Sequence, residues 1–335
     1  MAEPLLDVRN LTVHFPTDDG LVKAVDGVSF TIEPRETLGV VGESGSGKSV
    51  SFLTVMGLIN KKQARITGEI LFQGRDLLTM SDDELRKIRG DKIAMIFQDP
   101  LTALNPVHRV GAQIVEAIQA HREITEDEAM KIAVEMLRRV GIPQPDERAR
   151  QYPHEFSGGM RQRAMIAMAL SLDPDMLIAD EPTTALDVTV QAQILDLIDR
   201  LKEEFNTAVV MITHDLGVVA EHTDRVNVMY AGKVVETGSR DDIYYNAEHP
   251  YTWGLLQSIS RLDEKQDRLR PIKGSPPSLI HVPPGCSFHP RCPYVMDICR
   301  TQVPELVAED YPHANACHIS LEEKQRIFAS IMARQ

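Results

Sequence analysis

This sequence has no long apolar run and no surplus of basic residues. No stretch approaches the roughly 20 apolar residues that a membrane-spanning helix requires. Residues 1–4 have neither the basic start nor the apolar centre of a signal peptide, so we expect a cytosolic chain that reaches a membrane only through a partner. The net charge of −13 argues against the broad basic surface used by nucleic-acid-binding proteins, so no nucleic-acid partner is expected.

Cysteine is scarce, and all four copies fall within the final 50 residues. In a cytosolic chain such a cluster favours metal binding over disulfides. The spacing C-x₅-C-x₆-C-x₁₇-C lacks the close C-x₂-C pairs of zinc ribbons, whereas four thiolates also suit a [4Fe–4S] cluster. We expect a structural iron–sulfur cluster here, with zinc and unligated thiols as the alternatives. The expected ligands are Cys286, Cys292, Cys299 and Cys317.

A phosphate-binding loop is present, because residues 42–49 (GESGSGKS) fit the pattern G-x-x-x-x-G-K-[ST] at every fixed position. The apolar run Leu38–Val41 predicts a buried strand before the loop, and the stretch from about Lys48 to Ile59 predicts a helix after it. Backbone N–H groups and the helix N-terminus of such a loop face phosphates. We expect Lys48 to reach the β- and γ-phosphates of ATP and the Ser49 hydroxyl to ligate Mg²⁺. The predicted ATP-binding residues are Gly42, Glu43, Ser44, Gly45, Ser46, Gly47, Lys48 and Ser49.

A second phosphate-binding helix end is predicted at Phe156–Met160 (FSGGM). Ser157 is a good N-cap, and apolar residues follow at helical spacing as far as Leu170. This segment resembles the signature motif of ATP-binding cassette (ABC) proteins, with Phe156 where the family more often has Leu. In that family the motif grips the γ-phosphate of ATP held by a partner cassette. The resemblance therefore implies a dimer in which Ser157, Gly158 and Gly159 contact ATP.

Other segments match the remaining motifs of the ABC family. Residues 176–181 (MLIADE) resemble its Walker B strand, which implies that Asp180 holds Mg²⁺, largely through its water shell, and that Glu181 polarises the attacking water as general base. Residues 185–187 (ALD) match the D-loop at the dimer interface. The roles implied elsewhere are a Mg²⁺-sensing catalytic glutamine at Gln98, a γ-phosphate contact at His214, an ATP-site contact from Asp187 and an adenine-stacking ring at Phe15.

The expected fold class is α/β. Residues 5–15 and 21–32 predict antiparallel strands, residues 99–165 predict a helical subdomain, and buried strands alternate with helices from Asp175 onwards, which indicates a parallel sheet with crossover helices. The family resemblance implies an ABC-type nucleotide-binding domain at 1–243, with a RecA-like core, an antiparallel β subdomain and a helical insert. A cysteine-containing C-terminal extension is expected at 244–335.

The resemblance narrows to the D-type ATPase subunits of bacterial oligopeptide and dipeptide importers, on residues 98–106, 152–157, 179–194 and 249–252. The last segment (HPYT) opens an extension peculiar to the peptide and nickel group, in which some members carry an iron–sulfur cluster. The resemblance implies ATP-driven peptide uptake at the cytoplasmic face of the membrane. The implied partners are a second ABC ATPase subunit in a heterodimer, two permease subunits and an extracellular peptide-binding protein.

Several alternatives stay open from the sequence. Uptake of nickel, opines or glutathione would use the same ATPase, because the permeases and the binding protein select the solute. A soluble ABC protein acting on DNA or ribosomes is disfavoured, because there is one cassette and no long heptad run. A non-hydrolysing scaffold is disfavoured, because Glu181 and His214 are both present.

Overall fold

The computed structural model describes residues 3–184, 186–258, 272–310 and 313–333. None of the helices in these ranges is long and apolar enough to cross a membrane. Their strands are β1 Leu6–Thr17, β2 Gly20–Ile32, β3 Thr37–Val41, β4 Arg65–Phe72, β5 Arg75–Asp76, β6 Ile93–Ile96, β7 Met176–Asp180, β8 Ala208–Thr213, β9 Arg225–Tyr230, β10 Lys233–Ser239, β11 Val307–Asp310 and β12 His313–Asn315. Their helices are α1 Lys48–Val55, α2 Asp82–Ile88, α3 Pro100–Ala103, α4 Val110–Gln119, α5 Glu126–Arg139, α6 Pro145–Arg148, α7 Gly158–Ala169, α8 Val188–Phe205, α9 Leu216–His222, α10 Arg240–Tyr245, α11 Pro250–Gln257 and α12 Leu321–Met332, with 3₁₀ turns at Pro153–Glu155 and Asp297–Arg300.

The chain divides into two compact units. The first gathers the described residues of Met1–Ile32, Thr37–Leu78 and Ile212–Gln335. The second consists of Glu33–Glu36 and the described residues of Thr79–Met211. The chain passes from the second unit back into the first within β8.

An antiparallel sheet with the strand order β2-β1-β4-β5 forms one part of the first unit. Leu6 pairs with Ile32, and Val13 pairs with Val25, so the hairpin predicted from residues 5–32 is confirmed. All four of these side chains are completely buried. The sheet also contains β4 and β5, which the sequence analysis did not identify.

The phosphate loop follows a fully buried strand of a second sheet in the first unit. In this part of the sheet the order is β11-β12-β10-β9-β3. Strand β3 pairs in parallel with β9, through Leu38 and Arg225 among others, whereas β10 is antiparallel to both β9 and β12. Because β12 comes from the expected C-terminal extension, that extension belongs to the same compact unit as the phosphate loop. The boundary between residues 243 and 244 stays a prediction.

In the second unit, β6 and β7 pair in parallel, and β8 lies on the other side of β7. Between β6 and β7 the structure contains only helices and turns, as the sequence predicts for residues 99–165. Helix α5 begins with the predicted capping box. The Thr125 hydroxyl accepts the Glu128 N–H at 3.3 Å, and the Glu128 carboxylate accepts the Thr125 N–H at 2.9 Å.

Helix α1 is shorter than the sequence predicts, because it ends at Val55 rather than near Ile59. Gly57 adopts a left-handed conformation, with φ of 62°. Its N–H donates to the Thr54 carbonyl at 2.9 Å, and the Leu58 N–H donates to the Leu53 carbonyl at 2.8 Å. This pair of hydrogen bonds is a Schellman motif, which stops a helix at a glycine.

A buried polar network ties the C-terminal segments to β10. The fully buried Glu236 carboxylate accepts the N–H groups of Glu248 at 2.5 Å and His249 at 3.2 Å, and it lies 2.8 Å from the His313 imidazole. Burial alone would lower the pKa of His313. The hydrogen bond and charge of Glu236, with the charges of Glu248 and Asp242, outweigh burial and raise that pKa.

We therefore expect His313 to stabilise the protein chiefly in its protonated form. A raised pKa in the folded state gives a contribution that is complete below the unfolded pKa of about 6.5 and is lost as pH rises through the folded value. The thermal midpoint of the wild type should exceed that of His313→Gln most clearly near pH 5.5, with a difference that shrinks towards about pH 8.5. The exposed His281, replaced in the same way, is the matched control for the substitution itself. A difference for His313→Gln that grows with pH would contradict this assignment.

Candidate active site

The phosphate loop is closed by its own lysine. The Lys48 side chain is buried, and its ammonium group donates to the carbonyl of Gly42 at 2.7 Å and to that of Glu43 at 3.1 Å. Gly232 donates its N–H to the Ser46 carbonyl at 3.0 Å, which fixes the middle of the loop. Helix α1 begins at Lys48, and the preceding residue, Gly47, has no side chain to cap the helix N-terminus. A loop followed by an uncapped helix N-terminus has the geometry of a phosphate site.

Two loop glycines differ in the space around them. Gly47 has φ of 101°, and a Cβ atom added there would lie 2.3 Å from the Ala24 carbonyl oxygen. A backbone atom cannot retreat as a flexible side chain can, so only glycine fits at this position. Gly45 also has a positive φ, of 79°, but a Cβ atom there would meet nothing within 4 Å.

In the second unit, the structure brings Gln98 and Glu181 together. Asp180 is the last residue of β7 and is buried, and Glu181 follows it directly. The Gln98 amide donates to the Glu181 carboxylate at 2.8 Å, and the Thr184 hydroxyl donates to the same oxygen at 2.9 Å. Glu181 has φ of 46°, an uncommon backbone conformation of the kind that clusters at functional sites. Two neutral donors and the backbone thus fix the direction of this carboxylate.

The signature segment and the start of α8 also lie together in the second unit. The Ser157 hydroxyl accepts the Met160 N–H at 3.3 Å, so the predicted N-cap of α7 is confirmed. The Asp187 carboxylate caps α8 by accepting the Val190 N–H at 3.0 Å. A Cβ atom on Gly159 would lie 3.0 Å from a methyl group of Val190, so the two helix starts are in contact. Position 185 of the matched D-loop lies outside the described residues.

Two predicted site residues lie elsewhere in the first unit. Phe15 lies on β1, where it pairs with Val22 and is half-buried. His214 is exposed and comes directly after β8.

Two residues that the sequence analysis did not assign to the site contact Glu43 of the phosphate loop. The Glu43 N–H donates to the Tyr251 hydroxyl at 2.9 Å, and the Arg291 guanidinium forms an ion pair with the Glu43 carboxylate. Tyr251 belongs to the HPYT segment, which otherwise behaves as a helix start, with His249 as N-cap and Pro250 in the first turn of α11. Arg291 lies 248 positions from Glu43, so no local pattern could have linked them.

The sequence of this chain is similar to those of known proteins, and these similarities show its family. Residues 25–184 match the family model "ABC transporter", and residues 235–299 match "Oligopeptide/dipeptide transporter, C-terminal region". The "Dipeptide transport ATP-binding protein DppD" of Bacillus subtilis is 53% identical over 316 residues, which cover 94% of each chain. The chain belongs to the ABC transporter family. The "Oligopeptide transport ATP-binding protein OppD" of Escherichia coli is 50% identical over 322 residues, which cover 96% of this chain and 95% of that protein.

A solved structure of an ATP-binding cassette is similar to this chain in fold. It is described as the dimeric, post-hydrolysis state of an ATP-binding cassette bound to ADP and Pi. It superposes with a TM-score of 0.63 and 29% identity, and it covers 70% of this chain and 98% of its own. The ABC-type α/β fold expected from the sequence is thereby confirmed. As a member of this family the chain is an ATPase that couples ATP hydrolysis to transport, and ATP with Mg²⁺ fits the family.

The predicted iron–sulfur cluster is wrong. Within the described residues, which include all four cysteines, no group of three or more His, Cys, Asp or Glu residues is arranged to hold a metal ion. This finding also removes the zinc alternative. The DppD and OppD relatives are described simply as ATP-binding proteins.

The surroundings of the four cysteines are consistent with the absence of a metal-holding group. All four line one cavity of about 10 Å³, which has room for about one water molecule. Metal and cluster ligation requires thiolates. Burial raises the pKa of Cys286, raises that of Cys292 to about 11 and raises that of Cys317 to about 12, which disfavours the thiolate form. Cys286 and Cys292 pack against the buried aromatic core as small apolar side chains.

The contrast between the two loop glycines gives a test of the loop geometry. Gly47→Ala should abolish measurable ATP binding, because the added methyl group collides with the Ala24 carbonyl oxygen. Gly45→Ala is the matched control: it adds the same methyl group in open space, and its backbone strain of about 1–2 kcal/mol should weaken binding by about thirtyfold at most. Calorimetric titration of each variant with ATP·Mg²⁺ makes the comparison. Equal affinities for the two variants would show that the Ala24 contact does not constrain the loop.

Proposed function

We propose that this chain is the ATP-hydrolysing subunit that drives the uptake of oligopeptides or dipeptides through a membrane importer. The observation that carries the proposal is the pair of matches beyond the common ATPase domain. The C-terminal region typical of oligopeptide and dipeptide transporters matches residues 235–299, and the peptide-transport relatives align over almost the whole chain. A relationship confined to the ATPase domain would support ATP hydrolysis without indicating the solute.

The nucleotide would be held by the phosphate loop. Backbone N–H groups of Gly42–Ser49 other than that of Glu43, which bonds to Tyr251, would face the phosphates, and the Ser49 hydroxyl would ligate Mg²⁺. Lys48, whose ammonium group bonds to the carbonyls of Gly42 and Glu43, would turn to the β- and γ-phosphates when ATP binds. A phosphate carries a negative charge and the carbonyls do not, so the contact of Lys48 with phosphate is stronger than its bonds to the two carbonyls and would drive that change. Phe15 would stack on the adenine base.

Hydrolysis would depend on the polar groups that follow β6, β7 and β8. Asp180 would hold Mg²⁺ through its water shell, and Glu181 would polarise the attacking water. Gln98, whose amide donates to Glu181 at 2.8 Å, would contact Mg²⁺ and so link the ATP site to the helical residues 99–165 that follow it. His214 would contact the γ-phosphate.

The complete site would form between two ATPase subunits. Ser157, Gly158 and Gly159 form the N-terminal end of α7, and such an end attracts phosphate. We infer that this end and Asp187 close the ATP site of the partner subunit, an idea supported by the dimeric state of the solved relative. The partner would be a second, different ABC ATPase. Two permease subunits and an extracellular peptide-binding protein would complete an importer, with this chain at the cytoplasmic face of the membrane.

The proposed role of Glu181 has a direct test in the assembled transporter. Glu181→Gln keeps the size and hydrogen bonding of the side chain but removes the base, so ATP should still bind while hydrolysis falls by roughly 10²-fold or more. The closed dimer should accumulate because its ATP persists. Glu203→Gln, at an exposed position of α8 in the same unit, is the matched control and should hydrolyse ATP at the wild-type rate. Wild-type turnover by Glu181→Gln would refute the assignment of the base.

A further inference from the structure

A buried arginine from the C-terminal region reaches the phosphate loop. The Arg291 side chain is only 5% exposed, and it forms a two-pronged ion pair with Glu43, which occupies the first variable position of the loop. The two nitrogen–oxygen distances are 2.5 Å and 2.9 Å. Paired, nearly parallel bonds of this kind fix the orientation of a carboxylate as well as its position.

Arg291 is itself held in place by three other groups. Its Nε donates to the Lys273 carbonyl at 3.2 Å. Its guanidinium carbon lies 5.8 Å from the centre of the Tyr230 ring and 6.0 Å from that of Phe288, which places the cation against two buried aromatic faces. The hydrogen bonds that Arg291 donates to the Glu43 carboxylate outweigh burial and raise the pKa of Arg291, so the group stays charged. The cation is thus pre-positioned by the protein core.

Glu43 is fixed at three points. Its N–H donates to the Tyr251 hydroxyl at 2.9 Å, its carbonyl accepts from the Lys48 ammonium at 3.1 Å, and its carboxylate binds Arg291. Tyr251 is fully buried and belongs to α11, so two of the three contacts come from the C-terminal region. The third joins Glu43 to the lysine expected to bind phosphate.

The negative charge of Glu43 explains what its contacts with Arg291 and Tyr251 could do for ATP binding. A carboxylate in a loop that faces the triphosphate of ATP would repel it if the carboxylate carried an unpaired charge. The Arg291 ion pair offsets that charge and turns the carboxylate towards the protein core. The Tyr251 hydroxyl meanwhile holds the backbone at the same residue, next to the Gly42 carbonyl on which Lys48 rests.

We propose that Arg291, assisted by Tyr251, is a positioning residue for ATP binding, through which the C-terminal region holds the phosphate loop in its binding conformation. This inference rests on the proposed function of Gly42–Ser49 as the nucleotide site. Neither residue touches ATP in this account, and both act through Glu43. The region that distinguishes peptide-transport relatives from the common ATPase domain would thus set the affinity of the nucleotide site.

A double-mutant cycle on the full chain tests the proposal, with ATP·Mg²⁺ binding measured by calorimetry. Arg291→Ala leaves the Glu43 carboxylate unpaired, so affinity should fall roughly tenfold or more. The double variant Glu43→Gln with Arg291→Ala removes the unpaired charge and should recover most of that loss, which simple damage to the fold would not allow. Tyr251→Phe removes one hydroxyl group and should weaken binding by about threefold. Arg300→Ala, an exposed position in the same region, is the matched control and should bind as the wild type does.

The outcomes separate this inference from the proposed function. Lys48→Ala should lose ATP binding whether or not the inference holds, and undiminished binding by that variant would refute the nucleotide site itself. If Lys48→Ala loses binding while Arg291→Ala and Tyr251→Phe bind as the wild type does, the site stands and the positioning role is refuted. Additive losses in the cycle, with no recovery in the double variant, would also refute it. Should Arg291→Ala fail to fold, Tyr251→Phe alone decides, with unchanged affinity counting against the proposal.

Discussion

The tight curl of the phosphate loop is the constraint on which the rest of the structure depends. Strand β3 leads from the buried sheet into Gly42, and α1 begins directly after Gly47, where no side chain fits beside the Ala24 carbonyl. Lys48 closes the curl by donating to the Gly42 carbonyl at 2.7 Å. Elements distant in sequence then secure the loop from outside, through Gly232 at Ser46 and through Tyr251 and Arg291 at Glu43. A loop this restrained would lose little conformational entropy on binding phosphate, as the proposed function requires.

In the second unit, a carboxylate is also held in place by its surroundings. Glu181 follows the buried strand β7 and takes a left-handed backbone conformation, while Gln98 and Thr184 donate to one of its oxygens. Side chains that are held in place before reaction lower the entropic cost of catalysis. The two sites differ in what fixes the carboxylate: neutral donors bond to Glu181, whereas the Arg291 cation binds Glu43.

Local features of this molecule were predictable from sequence, and long-range ones were not. The loop, the Ser157 cap and the Thr125–Glu128 capping box depend on spacings of a few residues, and the structure confirms their geometry. Helix α1 was predicted too long, because a Schellman stop depends on the conformation that Gly57 adopts. The Glu43–Arg291 pair joins residues 248 positions apart, and no local pattern of residues in the sequence predicts such a contact. The four cysteines do line one cavity, as their clustering suggested, but their spacing does not predict its volume of about 10 Å³, and no metal-holding group is found among the described residues.

The most direct test of the central claim is an experimental structure of the full chain with ATP and Mg²⁺ bound. The account predicts that the triphosphate lies on N–H groups of Gly42–Ser49 other than that of Glu43, and that the Lys48 ammonium leaves the Gly42 and Glu43 carbonyls for the β- and γ-phosphates. The Glu43–Arg291 ion pair should persist in that structure. A triphosphate bound away from the loop, or a Lys48 ammonium still on the two carbonyls with ATP present, would contradict the account.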